Sequence, residues 1–294
     1  MRLPNYMTPL NRATTAQSRL SKMKGEIQQL TDAAVSGISV QAPSDAPGQW
    51  HGILDLQAGV DHQAVYKDNA DMAKSMLALA DTTLGEANDV MDRAREIAVM
   101  MSNDTYNDTD RATAALEVDA LREEIIELAN TDFGGRYLFA GTAYDAPPYD
   151  PTGAYTGTAD VPETVAGRDL RVQTGYDGAA IFTDALTVLD TLATAMRSGP
   201  GSTDATRATL PDIDVAQQVL VTSRADVGYE FNTAEDAFSL AENLEFNLQS
   251  ALDTKIAADP IETYTRLAEV QGAYQAALQV TAQSGNNSLF DFLR

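Results

Sequence analysis

A chain of 294 residues with 44% hydrophobic content is long and apolar enough to fold as one large domain or two modest ones, which excludes wholesale disorder. The 43 acidic and 20 basic residues give a formal charge of -23 with no concentrated basic patch, which excludes nucleic acid as a partner and requires any self-assembly to rest on apolar seams that outweigh repulsion. The absence of cysteine removes disulfides, thiolate metal sites and thiol nucleophiles. No run reads as apolar enough to cross a membrane, so no membrane partner is expected. The N-terminal residues Met1 to Asn5 lack the apolar region of a cleavable signal, so any export is expected by another route.

Thr8 followed by Pro9 predicts an N-cap and first helical residue. In the helix that follows, Leu20, Met23, Ile27, Leu30 and Ala34 recur at gaps of three and four, the spacing of a coiled-coil seam. Ser36 and Gly37 end it. The segment from Ser36 to Trp50, with two prolines and alternating Ile38 and Val40, predicts an extended connector. Helix resumes after Trp50 and leads into the strongest signal in the chain. Tyr66, Ala70, Ala73, Leu77, Ala80, Leu84, Ala87, Met91, Ala94, Ala98 and Met101 hold a heptad spacing, with Asp68, Asp71, Lys74, Asp81, Asp89, Asp92 and Arg95 off the seam. At 1.5 Å per residue that stretch alone spans roughly 54 Å, which predicts a rod.

The polar cluster at residues 102–110 predicts a helix-to-helix turn, and Asp110 to Asn130 the antiparallel partner, with Ala114, Val118, Leu121, Ile125 and Leu128 as its apolar face. Glycines and an aromatic run then interrupt the helices. Residues 143–181 predict a small β-rich insert with turns at Gly167, Gly175 and Gly178. Helix returns from Phe182 to Arg197, breaks at residues 198–204 and resumes near Asp212. Arg224 to Ala258 presents Phe231, Ala234, Phe238, Ala241, Leu244, Leu248 and Ala251 as a further long face. Asp259, Pro260 and Glu262 form a capping-box pattern. The helix it starts carries Leu267, Val270, Tyr274, Ala277 and Thr281 at heptad spacing, and the chain closes on an apolar tip of Leu289, Phe290, Phe292 and Leu293. The resulting expectation is a mainly α protein: a long coiled-coil-like helical bundle rod with a small β-rich insert and paired N- and C-terminal helices. The boundaries expected are residues 1–45 for an N-terminal assembly helix and connector, 46–142 for the first part of the rod, 143–181 for the insert, 182–258 for the second part and 259–294 for a C-terminal assembly helix.

Candidate chemistry is sparse. His51 and His62 lie outside any metal-ligand pattern and read as ordinary polar residues. Asp104, Asp108 and Asp110 lack the glycine and closing glutamate of a calcium loop and read as helix caps. Glu123 and Glu124 read as a solvated helix face rather than a glycosidase pair. No phosphate-binding glycine loop or nucleophile elbow is present, so neither an enzyme nor a cofactor is expected. The stripe from Tyr66 to Met101 reads as the core of an intramolecular bundle. The terminal stripes, Leu20, Met23, Ile27 and Leu30 with Leu267, Val270, Tyr274 and Ala277 and the Leu289 to Leu293 tip, read as seams to be buried against neighbouring copies.

Two segments carry a likeness to a known family. Ser36, Gly37, Pro43, Ser44, Asp45 and Pro47 match one motif, and Ala129, Asn130, Thr131, Gly135, Arg136, Tyr137, Leu138, Phe139, Ala140 and Gly141 match a second. With the order of elements and the ending Ser288 to Leu293, the chain resembles the flagellin superfamily over essentially its whole length, most nearly the branch that forms hook-filament junctions. Ile38 to Gln41 departs from the family pattern, which has a basic residue followed by Ile-Asn. Ala46 stands where a second Asp is common. The resemblance implies a structural subunit of the bacterial flagellum, exported unfolded without a cleaved signal and located outside the cell. It implies copies of itself as partners, a hook-associated protein on the hook side, flagellin or another hook-associated protein on the filament side, and an export chaperone. A flagellin of the main filament is the nearest alternative, and a coiled-coil rod without a flagellar role is the other.

Overall fold

In a computed structural model the backbone of residues 9–292 and the side chains of residues 14–283 are described. The Thr8 cap and the side chains of Leu289, Phe290, Phe292 and Leu293 lie outside them. The elements are α1 (Pro9–Ser36), α2 (Trp50–Met101), α3 (Asp108–Ala129), β1 (Asp132–Phe133), β2 (Arg136–Tyr137), β3 (Glu163–Val165), β4 (Arg171–Gln173), α4 (Gly178–Arg197), α5 (Ser202–Ala208), α6 (Leu210–Ile256) and α7 (Pro260–Phe292). The protein is mainly α, with two two-stranded antiparallel sheets among the described residues. It divides into two compact units, residues 61–245 and residues 1–60 with 246–294.

Within residues 61–245 the core follows the α2 seam. Ala70, Ala73, Leu77, Ala80, Leu84, Ala87, Met91, Ala94, Ala98 and Met101 are each at most 4% exposed. Six of those ten are alanines. Small residues at this density let the partner helices approach closely, while Leu and Met fill the gaps between them. Against the seam pack Val118 and Ile125 of α3, Phe182, Leu189 and Leu192 of α4, and Ile213, Leu220, Val227 and Ala234 of α6. The buried face of α3 is centred on Ala115, Val118, Ile125, Ile126 and Ala129, while the expected Ala114, Leu121 and Leu128 are only partly buried. This helix packs on α4 as well as on the seam, so its buried arc is wider than a single stripe.

Polar pairs fix the antiparallel register of α2 and α6. Lys67 pairs with Glu245, Lys74 with Glu235 at 3.6 Å, Asp81 with Arg224 at 2.7 Å and Arg95 with Asp214 at 2.7 Å. Lys74 also lies 5.0 Å from the centre of the Phe238 ring. Such half-exposed pairs contribute little energy individually, and their value here is in selecting one alignment. Helix α6 is one element from Leu210, and its face turns past Ala241: Leu252 is buried, whereas the expected Leu244 and Ala251 are exposed.

The ends of α2 and α3 are capped as their sequences dictate. Asn107 accepts from the Asp110 N–H at 2.9 Å and its own N–H donates to the Asp110 carboxylate at 3.1 Å, a reciprocal capping box. The free carbonyls at the end of α2 receive arginines from elsewhere in the chain. Arg111 donates to the carbonyls of Met101 and Asn103 at 3.5 and 3.3 Å, and Arg207 to that of Ser102 at 2.8 Å. Guanidinium groups at a helix C-terminus oppose its partial negative charge.

One expectation is corrected. Helix α4 is long and apolar enough to span a bilayer by length and composition. Its apolar length is instead explained by burial, since Ile181, Phe182, Leu186, Leu189, Leu192 and Met196 all enter the core. It starts at Gly178, capped by Asp177, rather than at Phe182.

Because the seam is already filled, adding volume to it should be costlier than trimming an exposed apolar residue. Ala87→Leu is expected to destabilise the protein by about 1–3 kcal/mol in urea unfolding. Leu116→Ala, at a site 64% exposed, should fall within about 0.5 kcal/mol of the parent.

Candidate assembly interface

In the unit made of residues 1–60 and 246–294, α1 and α7 pair antiparallel. Glu26 of α1 accepts from both the Nε and a terminal nitrogen of Arg266 in α7, at 3.3 and 3.2 Å. Leu20, Met23, Ile27 and Leu30 of α1 and Leu267, Tyr274 and Ala277 of α7 are half-buried, and only Val270 among the eight is buried. The pair leaves an open groove of about 510 Å³, floored by Ala16, Leu20 and Met23 on one wall and Ala276, Ala277 and Val280 on the other. Val280 is 66% exposed. Across the described residues of this unit only Ile53, Thr263, Leu252 and Val270 are buried. Asp259 caps α7 by accepting from the Ile261 and Glu262 N–H groups at 2.8 and 3.3 Å, and no return bond from the Glu262 carboxylate is present among the described residues.

The first motif ties the end of α1 to the turn between α6 and α7. Ser36 accepts from the Ile38 N–H at 3.2 Å, and Gly37 adopts a left-handed conformation (φ +73°) that closes the helix with its N–H on Ala33 at 2.9 Å. The connector is not simply extended. Its Ile38 bridges Ala257, with Ser39 N–H donating to Ile256 at 2.7 Å and Ala258 N–H to Gly37 at 2.8 Å. The Ser39 hydroxyl adds bonds to the Ile256 and Ala257 carbonyls at 3.1 and 3.0 Å, so the residue that departs from the family pattern is itself a tie. Asp45 folds the stretch between Pro43 and Pro47 into a turn by accepting from Gln41 and Ala42 N–H at 3.1 and 2.9 Å and from Ser44 at 3.2 Å. Those backbone donors, Ala42 first, hold its carboxyl below the usual carboxylate range.

The second motif lies in the other unit and joins the end of α3 to the start of α4. Asn130 exchanges two bonds with the backbone of Tyr149, both 2.9 Å. β1 and β2 form a hairpin through Gly134 and Gly135, both at positive φ, with Asp132 accepting from the Gly135 N–H at 2.9 Å. Arg136 stacks over the Tyr144 ring at 4.3 Å. Phe139 is buried edge-on to Phe182 at 4.9 Å, and its carbonyl receives the Gly178 N–H at 2.9 Å. Gly141 has φ +62°, and a Cβ there would run into the Thr158 carbonyl. The Tyr149 hydroxyl donates to Gly178 at 2.8 Å, and burial pushes its pKa up. Tyr137 pairs opposite Asp132 and Thr131 receives the Leu138 N–H at 3.1 Å. These residues are structural ties rather than reactive groups.

His51 and His62 both sit exposed on α2, the His62 ring lying edge-on to Tyr66 with 6.5 Å between ring centres. The Asp110 carboxylate is committed to its cap and Asp108 lies 3.5 Å from Arg111.

The architecture defines a class: a helical protein with one unit that has a closed core and another whose pair of terminal helices has half-covered apolar faces. Residues 8–144 match the bacterial flagellin N-terminal helical region. Flagellar hook-associated protein 3 of Escherichia coli is 24% identical over 282 residues, covering 87% of this chain and 89% of that protein. The protein of the same name from Salmonella typhimurium is 29% identical over 56% of this chain and 53% of its own length. Flagellin A of Vibrio anguillarum is 32% identical but over 46% of this chain and 36% of its own. The fold is similar to FlgL of Xanthomonas campestris (TM-score 0.61, 19% identity, 67% of this chain and 99% of that one) and to the flagellar junction protein FlgL of Legionella pneumophila (TM-score 0.57, 15% identity, 70% and 99%). The chain is thus similar to flagellar hook-associated protein 3 along most of its length and to flagellins over its N-terminal half.

Two outcomes follow from the ties. Gly141→Ala, strained in conformation and blocked by Thr158, should cost at least about 2 kcal/mol in thermal unfolding. Asp45 has a folded pKa below its unfolded value, so its contribution is present above the ordinary carboxylate value of about 4 and is lost as pH falls through the lower folded value. Hydrogen exchange at the Gln41 and Ala42 amides, corrected for intrinsic rates, should therefore lose protection below about pH 4 in the parent and lack it at all pH values in Asp45→Ala.

Proposed function

We propose that the chain is a structural subunit of the bacterial flagellum that forms the junction ring between hook and filament, with α1 and α7 as its assembly surface. The observation that carries this reading is the contrast between the two units: residues 61–245 own the entire contiguous core, while the unit of residues 1–60 and 246–294 has four buried side chains among those described. At about 25 cal/mol per Å² of apolar surface, a helix pair with a half-covered seam gains much less by folding alone than by packing against further helices. Copies of this chain supply such helices, and Leu20, Met23, Ile27, Leu30, Leu267, Val270, Tyr274 and Ala277 make the contact, with the Leu289 to Leu293 tip extending it. The similarity along most of hook-associated protein 3, against part-length similarity to flagellin, favours the junction over the filament.

On this reading residues 1–45 and 259–294 are the assembly segments, 46–142 and 182–258 the wall, and 143–181 an insert displayed outward. The hook-side neighbour is a hook-associated protein and the filament-side neighbour is flagellin or another hook-associated protein. An export chaperone covers the C-terminal stripe before assembly, and the chain leaves the cell through the flagellar export apparatus. The role is mechanical, with no reaction and no cofactor.

Immunogold labelling of detached flagella with antibody to residues 143–181 is expected to give a narrow band at the distal end of the hook. Label along the filament would make the chain a flagellin, and no label, with the antibody shown to bind native protein, would remove the flagellar role. A fragment of residues 61–245 should still unfold cooperatively yet fail to enter flagella.

A further inference from the structure

Within residues 61–245 a cleft of about 360 Å³ opens between the start of α4, strand β4 and α6. One wall is Tyr176, Asp177 and Ile181, the other Asp226, Tyr229 and Glu230, and none of the lining residues is basic. Tyr176 is 7% exposed, and its hydroxyl is buried with no hydrogen-bond partner among the described residues. A buried hydroxyl left unpaired forfeits free energy that a ligand able to bond it would recover. Burial, then the charges of Glu230 and Asp226, push its pKa up, so the phenol is neutral and can accept a hydrogen bond.

The carboxylates are poorly compensated. Glu230 accepts from the Gln173 N–H at 3.2 Å, and neither it nor Asp226 has an ion-pair partner among the described residues. The arginines nearest in sequence are committed elsewhere, Arg171 to Glu163 at 3.8 Å and Arg224 to Asp81 at 2.7 Å. Tyr229, at the lip, is 70% exposed. No group of three acidic or histidine side chains among the described residues is placed to hold a metal ion, and part of the wall is apolar, with Val161, Ala180 and Ile181. A bare divalent cation would need a shell of oxygens there. A hydrocarbon stem with a charged head matches both halves of the lining: the stem along the apolar wall, the head among the phenol and carboxylates, and the Tyr229 ring for a cation to lie against.

We infer that this cleft receives an arginine or lysine side chain from a neighbouring protein subunit, held by Asp226, Glu230 and the Tyr176 hydroxyl. That the neighbour is a flagellar subunit rests on the proposed function; the preference for a cation does not.

Full-length protein labelled for NMR, titrated with N-acetylarginine methylamide, should show saturable shifts of the Tyr176 ring and Gln173 amide. The neutral citrulline analogue should give none, and binding should be about tenfold weaker in the Asp226→Asn/Glu230→Gln double variant. A response that does not saturate, that the citrulline analogue reproduces, or that the variant retains would overturn the cation site. In flagella, p-benzoylphenylalanine placed at Tyr229 should crosslink to an adjacent subunit through a peptide bearing Arg or Lys. An incorporated protein that crosslinks to nothing, or to a peptide without a basic residue, overturns the partner. If the parent chain binds the probe but is absent from flagella, the flagellar reading fails and the cation site stands.

Discussion

Close approach along the α2 seam is the constraint on which residues 61–245 depend. Alanine at positions 70, 73, 80, 87, 94 and 98 contributes little apolar area per residue, but it allows the backbones of the partner helices to come near enough for Leu77, Leu84 and Met91 to fill the space between them. A seam so uniform could be matched in more than one alignment, because one heptad resembles the next. The charged pairs flanking it break that degeneracy. Slipping α6 by one heptad in one direction would bring Asp81 opposite Glu235, like against like, where the native alignment gives it Arg224. Energy comes from the seam and uniqueness from its flanks.

With the helices fixed, the ends must be secured, and both motif segments act there. Each uses a glycine in a conformation other residues resist, Gly37 leaving α1 and Gly141 leaving the β1–β2 hairpin, to turn the chain where a side chain or carbonyl then ties it. Asn130 and Tyr149, and Ser39 with the Ile256 and Ala257 carbonyls, satisfy backbone groups that a helix end or loop would otherwise leave open. Residues in such motifs have the look of a binding site in sequence because they are polar, glycine-rich and irregular. In space their donors and acceptors are used on the protein itself.

What the sequence made legible follows from how local each signal is. The α2 seam was readable because its period is internal to one helix, and the turn at residues 102–110 because Asn107 and Asp110 cap within four residues. The exact faces of α3 and α6 were less so, since they depend on which neighbours each helix meets: α3 shifts toward Ala115 and Ala129 under α4, and α6 turns from Leu244 to Leu252. The span-like composition of α4 is hard to read because its exposed stripe of Thr183, Asp184, Thr187, Asp190 and Thr191 holds only two charges, while the rest of the helix is apolar and enters the core. The β1–β2 hairpin lies ahead of the expected insert, although its signal, Gly134-Gly135 between Phe133 and Arg136, was present. The cleft at Tyr176 joins residues far apart in the chain, and no local pattern announces it.

The balance between charge and burial connects these features to assembly. A chain of net charge -23 disfavours its own association, so contacts between copies must be apolar, geometrically specific, or both. In the proposed assembly the half-covered faces of α1 and α7 would supply the apolar part. On the cation inference, the acidic cleft, whose Tyr176 phenol has no partner among the described residues, would supply a specific part at no further cost in repulsion, because a cation entering it reduces the local charge instead of adding to it. Salt strengthens the first contact by screening the repulsion around it and weakens the second by screening the attraction within it. An assembly using both therefore has opposed ionic-strength dependences in its parts, a property that neither seam nor cleft would confer alone.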